Sequence, residues 1–479
     1  MDSVIKTFKY DNGEIQRVQQ VTLEKEEAFH FFKPVKSEKA FERICALYKN
    51  FTVPKCPYIF GRMMHFCLPE DIRVPEGVLE TAKKYEYKYG ILSDDINKVA
   101  IAFKEMLKIS NKGEVSEKRG KRSGHSKEVW EFYRLLKEKG CAKTVCGKLP
   151  LNKILPVGRD FGLISESEKD SALKANSTFF IMDSFDVTSL YDVIGTPFGL
   201  TVEKGTILTP PLYKREAFTV GADGSVRIES PEIKDLTVRI GDLSLKDGEE
   251  GVTFLERPKR NRTPLVRKNE RTLDLAVIGK KVVAVKKNGK MTVPAAGFVI
   301  RIKGDRLFSK DNAEYDKTVR SLVGAEVTYA WETDVRFAIS AGNSLVINGE
   351  KTTGFKAKYY NIRFPWKVKY PPSLYPLNFE RDRAPRMAIG EKEYGKLVLL
   401  WFEGKGKFSY EKGVDSCGAS LKEMADICSE LGIRNAVNLD GGGSAQIMYK
   451  GKRELKISDR NKKDNTESER AIPLGLCVK

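Results

Sequence analysis

The sequence predicts an α+β protein: a strand-rich domain over residues 146–479, preceded by a mostly helical accessory domain over residues 1–145. Two observations point there. The first 145 residues hold four stretches with apolar side chains at helical spacing, whereas the rest is dominated by short β-branched runs separated by glycine, proline and Asp-Gly or Asn-Gly turns. At 479 residues and 41% hydrophobic, the chain is too long for one ordinary core and apolar enough to bury two.

Taken in order, Ile5–Tyr10 and Ile15–Thr22 read as strands turned by Asp11-Asn12-Gly13, a hairpin signal. Phe41, Ile44, Cys45 and Leu47 have the spacing of a short helix, and His65 within Met63–Cys67 reads as a core histidine. Glu76–Tyr89 follows Pro75 and stops at Gly90, as a helix between those residues would. In Asp94–Ile109, Ile96, Val99, Ala100, Phe103, Met106 and Leu107 share one face, and Lys127–Lys139 carries a similar stripe before Gly140. Glu166–Ala175 is expected to be a helix running into Asn176. From residue 231 to 330 strands are expected at Leu236–Ile240, Val252–Leu255, Leu273–Val277, Lys281–Lys286, Gly297–Ile302 and Ala325–Trp331. Phe355, Tyr359, Tyr360, Phe364, Trp366, Tyr370 and Tyr375 lie in a proline-rich stretch, either a sugar-stacking loop or an irregular wall.

Composition narrows the partners. The formal charge is +19, but the lysines are spread through every segment rather than gathered on a nucleic-acid motif. The basic run Lys118–Arg122 reads as a solvated loop and Arg257–Lys268 as a solvated hairpin or, slightly less favoured, a rim for a polyanionic substrate, so nucleic acid is the less favoured partner. Eight scattered cysteines, no Cys-x-x-Cys pair and three histidines argue against structural zinc and for reduced thiols. No apolar run reaches the roughly 20 residues that span a bilayer, so no membrane partner is expected. The N-terminus lacks a basic start and apolar run. A cytoplasmic location is therefore expected, or a secreted one if the sequence lacks its native leader.

The most informative stretch is Asn435-Ala436-Val437-Asn438-Leu439-Asp440-Gly441-Gly442-Gly443-Ser444. A short apolar strand ends in a carboxylate, followed by glycines whose amides could cradle an anion, then a hydroxyl. A tight turn is the plainer reading. Upstream, Leu421, Met424, Ala425, Cys428 and Leu431 form a helix face, with Ser420 as its cap and Gly432 as its stop. Helix, glycine, strand and Asp-Gly-Gly-Gly-Ser together resemble the closing segment of the phosphodiester glycosidase family. The resemblance extends to Asn176-Ser177-Thr178-Phe179-Phe180, to the run Gly195–Pro211, to Gly342–Gly349, to Arg386-Met387-Ala388-Ile389-Gly390 and to Glu469-Arg470. It covers residues 165–479.

That resemblance implies a glycoside hydrolase acting on a sugar-1-phosphodiester or a related glycosidic bond. Its catalytic set would be Asp440 at the anomeric centre with Arg386 and Asn176. Thr178, Gly441, Gly442, Gly443, Ser444 and Arg470 would hold substrate; Arg386 and Arg470 would pair with the phosphodiester. Such chemistry needs a second group opposite the first; Asp183, Asp186, Glu203 and Asp415 all qualify. No cofactor is implied, and a divalent cation on Asp440 is left open. The expected partner is a glycan or sugar-phosphodiester substrate. The alternative is a non-catalytic carbohydrate or phosphate-binding module and, less favoured, a basic nucleic-acid-binding protein.

Overall fold

The computed structural model describes residues 1–24, 27–37, 39–40, 43, 64–66, 68, 71–89, 95–109, 115–117, 124–144, 154–156, 160–182, 191–257, 271–289, 291–304, 321–340, 342–353, 383–405, 410–461 and 464–479. The N-terminal hairpin forms as its turn residues require: Gly13 takes φ +81°, and Asp2–Lys9 pairs antiparallel with Ile15–Thr22. The hairpin then joins the rest of the chain. Ile15–Thr22 pairs along its other edge with Leu397–Phe402, nearly 400 residues on, with Val18 opposite Phe402.

The resulting seven-stranded sheet runs Asp2–Lys9, Ile15–Thr22, Leu397–Phe402, Arg386–Lys392, Ile433–Asn438, Ser344–Ile347, Glu350–Lys351. Alternation sorts its two faces. Met387, Ile389, Leu399, Trp401, Val437 and Leu439 enter the main core. Ala388, Leu400, Phe402 and Ala436 face the Leu421–Glu430 helix, which buries Leu421, Met424, Ala425 and Cys428 against them. This helix starts where expected. The Ser420 and Glu423 side chains and backbone amides cap one another reciprocally, Ser420 N donating to Glu423 Oε2 at 2.8 Å.

A second sheet, in the order Ile447–Tyr449, Leu173–Asn176, Gly475–Val478, His30–Phe32, meets the end of the first. Here two expectations are corrected. The segment 166–175 is no helix: a 3-10 turn covers Ile164–Glu166 and a strand covers Leu173–Asn176. All four strand residues are buried with a ladder on either side, and tertiary pairing of that extent overrides local helix preference. The N-terminal unit is also not a mostly helical domain from residue 1, because residues 2–32 contribute three strands to the two sheets. The main-chain ladder, supplied from far along the sequence, decides this.

The helices lie further on, at Glu76–Tyr89, Asp95–Met106 and Gly124–Glu138. The expected end of the second, Ile109, is instead in a strand, Leu107–Ile109. Val78, Val99, Phe103, Phe132 and Leu136 form a core that is continuous with Ala276, Ala284 and Val299. Those three belong to a four-stranded sheet of Val252–Leu255, Gly297–Lys303, Thr272–Ile278 and Lys281–Lys287, close to the expected strands. A five-stranded sheet centred on Val335–Ser340 completes the strand-rich body. The basic run 118–122, residues 258–268 and the aromatic stretch 355–375 lie outside the described residues, as does most of the helix expected near Phe41.

Because the hairpin covers an edge of the main sheet, a chain begun at residue 146 should lose cooperative folding. Thermal unfolding followed by circular dichroism checks this. A truncated chain with an intact sharp transition would show that the hairpin is dispensable.

Candidate active site

The Ile433–Asn438 strand does not end cleanly. Leu439 N still donates to Met387 O at 2.8 Å, and Asp440 N then turns away to Ser177 O at 3.1 Å. Gly442, at φ +58°, donates its amide to Pro385 O at 2.8 Å. A single 3-10 turn over Gly442–Ser444 leads into Ile447–Tyr449 of the second sheet. The glycine-rich turn is therefore the crossing between the two sheets.

Its amides are largely engaged within the protein. Gly441 N donates to the Asp440 carboxylate at 2.9 Å, Gly442 N to Pro385 O, and Ser444 N to Gly441 O at 3.1 Å. An anion-cradling row of free amides is not what these bonds leave.

Asn176 is brought to the turn as a positioning group, and Thr178 is not bonded to it. Asn176 Nδ2 donates to Asp440 O at 2.7 Å, and its Oδ1 accepts Gln446 N at 3.1 Å. The Thr178 hydroxyl is shared between Phe198 O at 2.7 Å and Ser340 O at 2.9 Å. Arg386 is fully buried, with Nε donating to Ala419 O at 3.1 Å.

Asp440 is 8% exposed. Burial pushes its carboxyl up from 3.8 to about 7, against the opposing pull of the Ser444 hydroxyl, Arg470 and the Gly441 amide. The Ser444 hydroxyl is close enough to act on that carboxyl, yet makes no well-directed hydrogen bond among the described residues. Arg470 is held bidentately by Asp459, Nε to Oδ2 at 2.8 Å and Nη2 to Oδ1 at 3.0 Å. Gly443 is needed beneath this pair, since a Cβ there would lie 2.3 Å from Arg470 Nη2 and from both Asp459 oxygens.

Asp459 is the acidic residue that the sequence reading missed. It sits in an undistinguished polar stretch, and only its pairing with Arg470 marks it. Of the four acidic residues considered for the second role, Glu203 instead bonds His30 Nδ1 and Phe31 N, and Asp415 accepts Glu411 N. Asp183 and Asp186 lie outside the described residues. Among the described residues no three His, Cys, Asp or Glu side chains gather as a metal site, and no helix is long and apolar enough to cross a membrane.

Residues 271–479 match the family model described as phosphodiester glycosidase. The N-acetylglucosamine-1-phosphodiester alpha-N-acetylglucosaminidase of Bos taurus is 32% identical over 93 residues, which is 19% of this chain and 16% of that protein. The SPbeta prophage-derived uncharacterized protein YomE of Bacillus subtilis (strain 168) is 36% identical over 75 residues, 16% of this chain and 11% of that protein. The chain thus spans 16% or less of the length of these curated relatives. The solved catalytic domain of zebrafish N-acetylglucosamine-1-phosphodiester alpha-N-acetylglucosaminidase, auto-inhibited by its pro-peptide, is 16% identical with a TM-score of 0.32, covering 66% of each chain.

A carboxyl whose pKa rises on folding holds its proton more tightly in the folded state than in the unfolded chain. Its stabilising contribution is therefore complete below pH 3.8 and is lost as pH rises through about 7. Asp440→Asn removes that loss. The variant should be more stable than wild type at pH 8, by an amount on the order of 4 kcal/mol, and the gap should close towards pH 4. Denaturant unfolding of both proteins across this range measures it; a pH-independent gap would show that Asp440 ionises normally.

Proposed function

We propose, from the premise that residues 271–479 belong to the phosphodiester glycosidase family, that this protein hydrolyses the glycosidic bond of a sugar phosphodiester with Asp440 as proton donor. The observation that carries the reading is the buried Asp440 carboxyl at the crossing between the sheets, within the field of the Arg470–Asp459 pair.

The chemistry follows from charge. Breaking the bond from the anomeric carbon to oxygen sends its electron pair to a phosphate monoester, whose second pKa is about 6. A donor titrating near 7 is almost matched to that oxygen, the condition under which general acid catalysis works at neutral pH. Water supplies the hydroxyl to the anomeric carbon and its remaining proton restores the Asp440 carboxyl, leaving a free sugar and a phosphate monoester. Arg470, 24% exposed and fixed in direction by Asp459, pairs with the phosphodiester charge. Arg386, buried with its Nε on Ala419 O, holds the frame together with Asn176 and Thr178. The name of the bovine relative makes an N-acetylglucosamine-1-phosphodiester the first substrate to try.

The test is release of free sugar from a panel of sugar-1-phosphodiesters and nucleotide sugars. With a hydrolysed substrate, kcat/KM should fall as pH rises through about 7. Asp440→Asn should lower kcat by roughly 10²–10⁴ and remove that limb. Saturable binding without turnover by any substrate would instead favour a non-catalytic carbohydrate or phosphate-binding module.

A further inference from the structure

We propose that Asn438, with Asn343 and Ser444, forms a subsite for the hydroxyl groups of the sugar half of the substrate; the inference rests on the glycosidase reading above. Asn438 is the last residue of the Ile433–Asn438 strand and is 0% exposed. Its backbone is fully engaged: Asn438 N donates to Asn343 O at 2.9 Å, and Gly342 N to Asn438 O at 2.8 Å. Its side chain is not. Neither Oδ1 nor Nδ2 has a hydrogen-bond partner among the described residues, and the same holds for Asn343 Nδ2; the Ser444 hydroxyl, which acts on the Asp440 carboxyl, makes no other bond among them. Buried polar side-chain atoms are nearly always paired, so unpaired groups on neighbouring segments call for a partner.

Their placement says which partner. Val437 and Leu439 enter the main core, so Asn438 points to the opposite face of the sheet, the face of its register partner Ala388. Asp440 lies two residues further on. The backbone is shaped around the amide: a Cβ at Gly342 would come within 2.3 Å of Asn438 Nδ2. Ala436, two residues earlier on the same face, packs into an apolar cluster with Leu345 and Leu400, so an apolar side chain at 438 would extend that packing. An amide there is not a packing requirement.

The unpaired groups are uncharged, and together they both donate and accept. Phosphate oxygens only accept, and the guanidinium of Arg470 suits them. Hydroxyl groups donate and accept, which fits Asn438 Oδ1 and Nδ2 side by side. The subsite thus takes the sugar, with its reacting carbon beside Asp440.

Asn438→Leu tests this, with Asn343→Ala as a second variant that leaves the strand intact. Calorimetry measures binding of N-acetylglucosamine, N-acetylglucosamine 1-phosphate and inorganic phosphate, and a thermal melt reads folding. Each variant should lose about tenfold or more in affinity for the two sugar probes and keep its affinity for inorganic phosphate. The melting temperature of Asn438→Leu should be at or above that of wild type. Unchanged sugar binding with a lowered melting temperature would make Asn438 a structural residue and overturn the subsite, even where Asp440→Asn abolishes hydrolysis. A wild-type protein that binds none of the three probes and hydrolyses no sugar phosphodiester would overturn both readings.

Discussion

The site depends on one side-chain amide. Asn176 ends a strand of the second sheet, yet both ends of its amide hold the turn that leaves the first: Nδ2 takes the Asp440 carbonyl and Oδ1 takes the Gln446 N–H. Each bond contributes about 1 kcal/mol when made, and a buried group left unpaired costs more than that. Released from this clamp, the turn would move and expose the Asp440 carboxyl. The pKa rise, which comes first from burial, would then vanish. In the proposed hydrolysis Asn176 therefore acts through position. Thr178 does the same one step on, fixing the carbonyls of Phe198 and Ser340.

The electrostatics of the turn are a contest that burial wins. Three groups pull the Asp440 carboxyl toward ionisation, yet it sits near 7. Arg470 would be the strongest opponent, but Asp459 neutralises it in a bidentate pair. This division leaves one carboxyl well above the usual carboxylate range and the other to aim a cation. Gly443 makes the arrangement sterically possible, because no side chain fits between the turn and the pair. The three glycines have three duties: an amide for the carboxylate, a left-handed turn onto Pro385, and a gap for Arg470 and Asp459.

Much of this was legible in the sequence, and the exceptions have physical causes. The Leu421–Glu430 helix was readable because cap, stripe and stop agree, and the hairpin at Asn12-Gly13 because its turn chemistry is local. The strand Leu173–Asn176 was not, since what makes it a strand is pairing with residues 447–449 and 475–478. For the same reason, nothing local showed that residues 18–22 pair with 398–402. At the site, Asp440 announced itself by the glycines after it. Asp459 did not, because its meaning lies in an arginine eleven residues on. The glycine amides looked free for a ligand in the sequence; only the folded turn shows the acceptors of Gly441 and Gly442.

Register is the last link. Side chains alternate along a strand, so a slip of one residue exchanges every inward group for an outward one. In the strand that ends at Asn438, a slip would bring Asn438 into the main core and carry Leu439 out of it. The chain fixes the register at both ends. A bulge between Glu391 and Lys392 absorbs an irregularity at the far end, and Leu439 N on Met387 O extends the ladder one residue past the strand. The main core thus holds Val437 and Leu439 inward, and by geometry alone turns Asn438 and its unpaired amide the other way. Packing of apolar residues on one face is what aims the polar ones on the other. That is why a strand of ordinary core composition can carry a site at its tip.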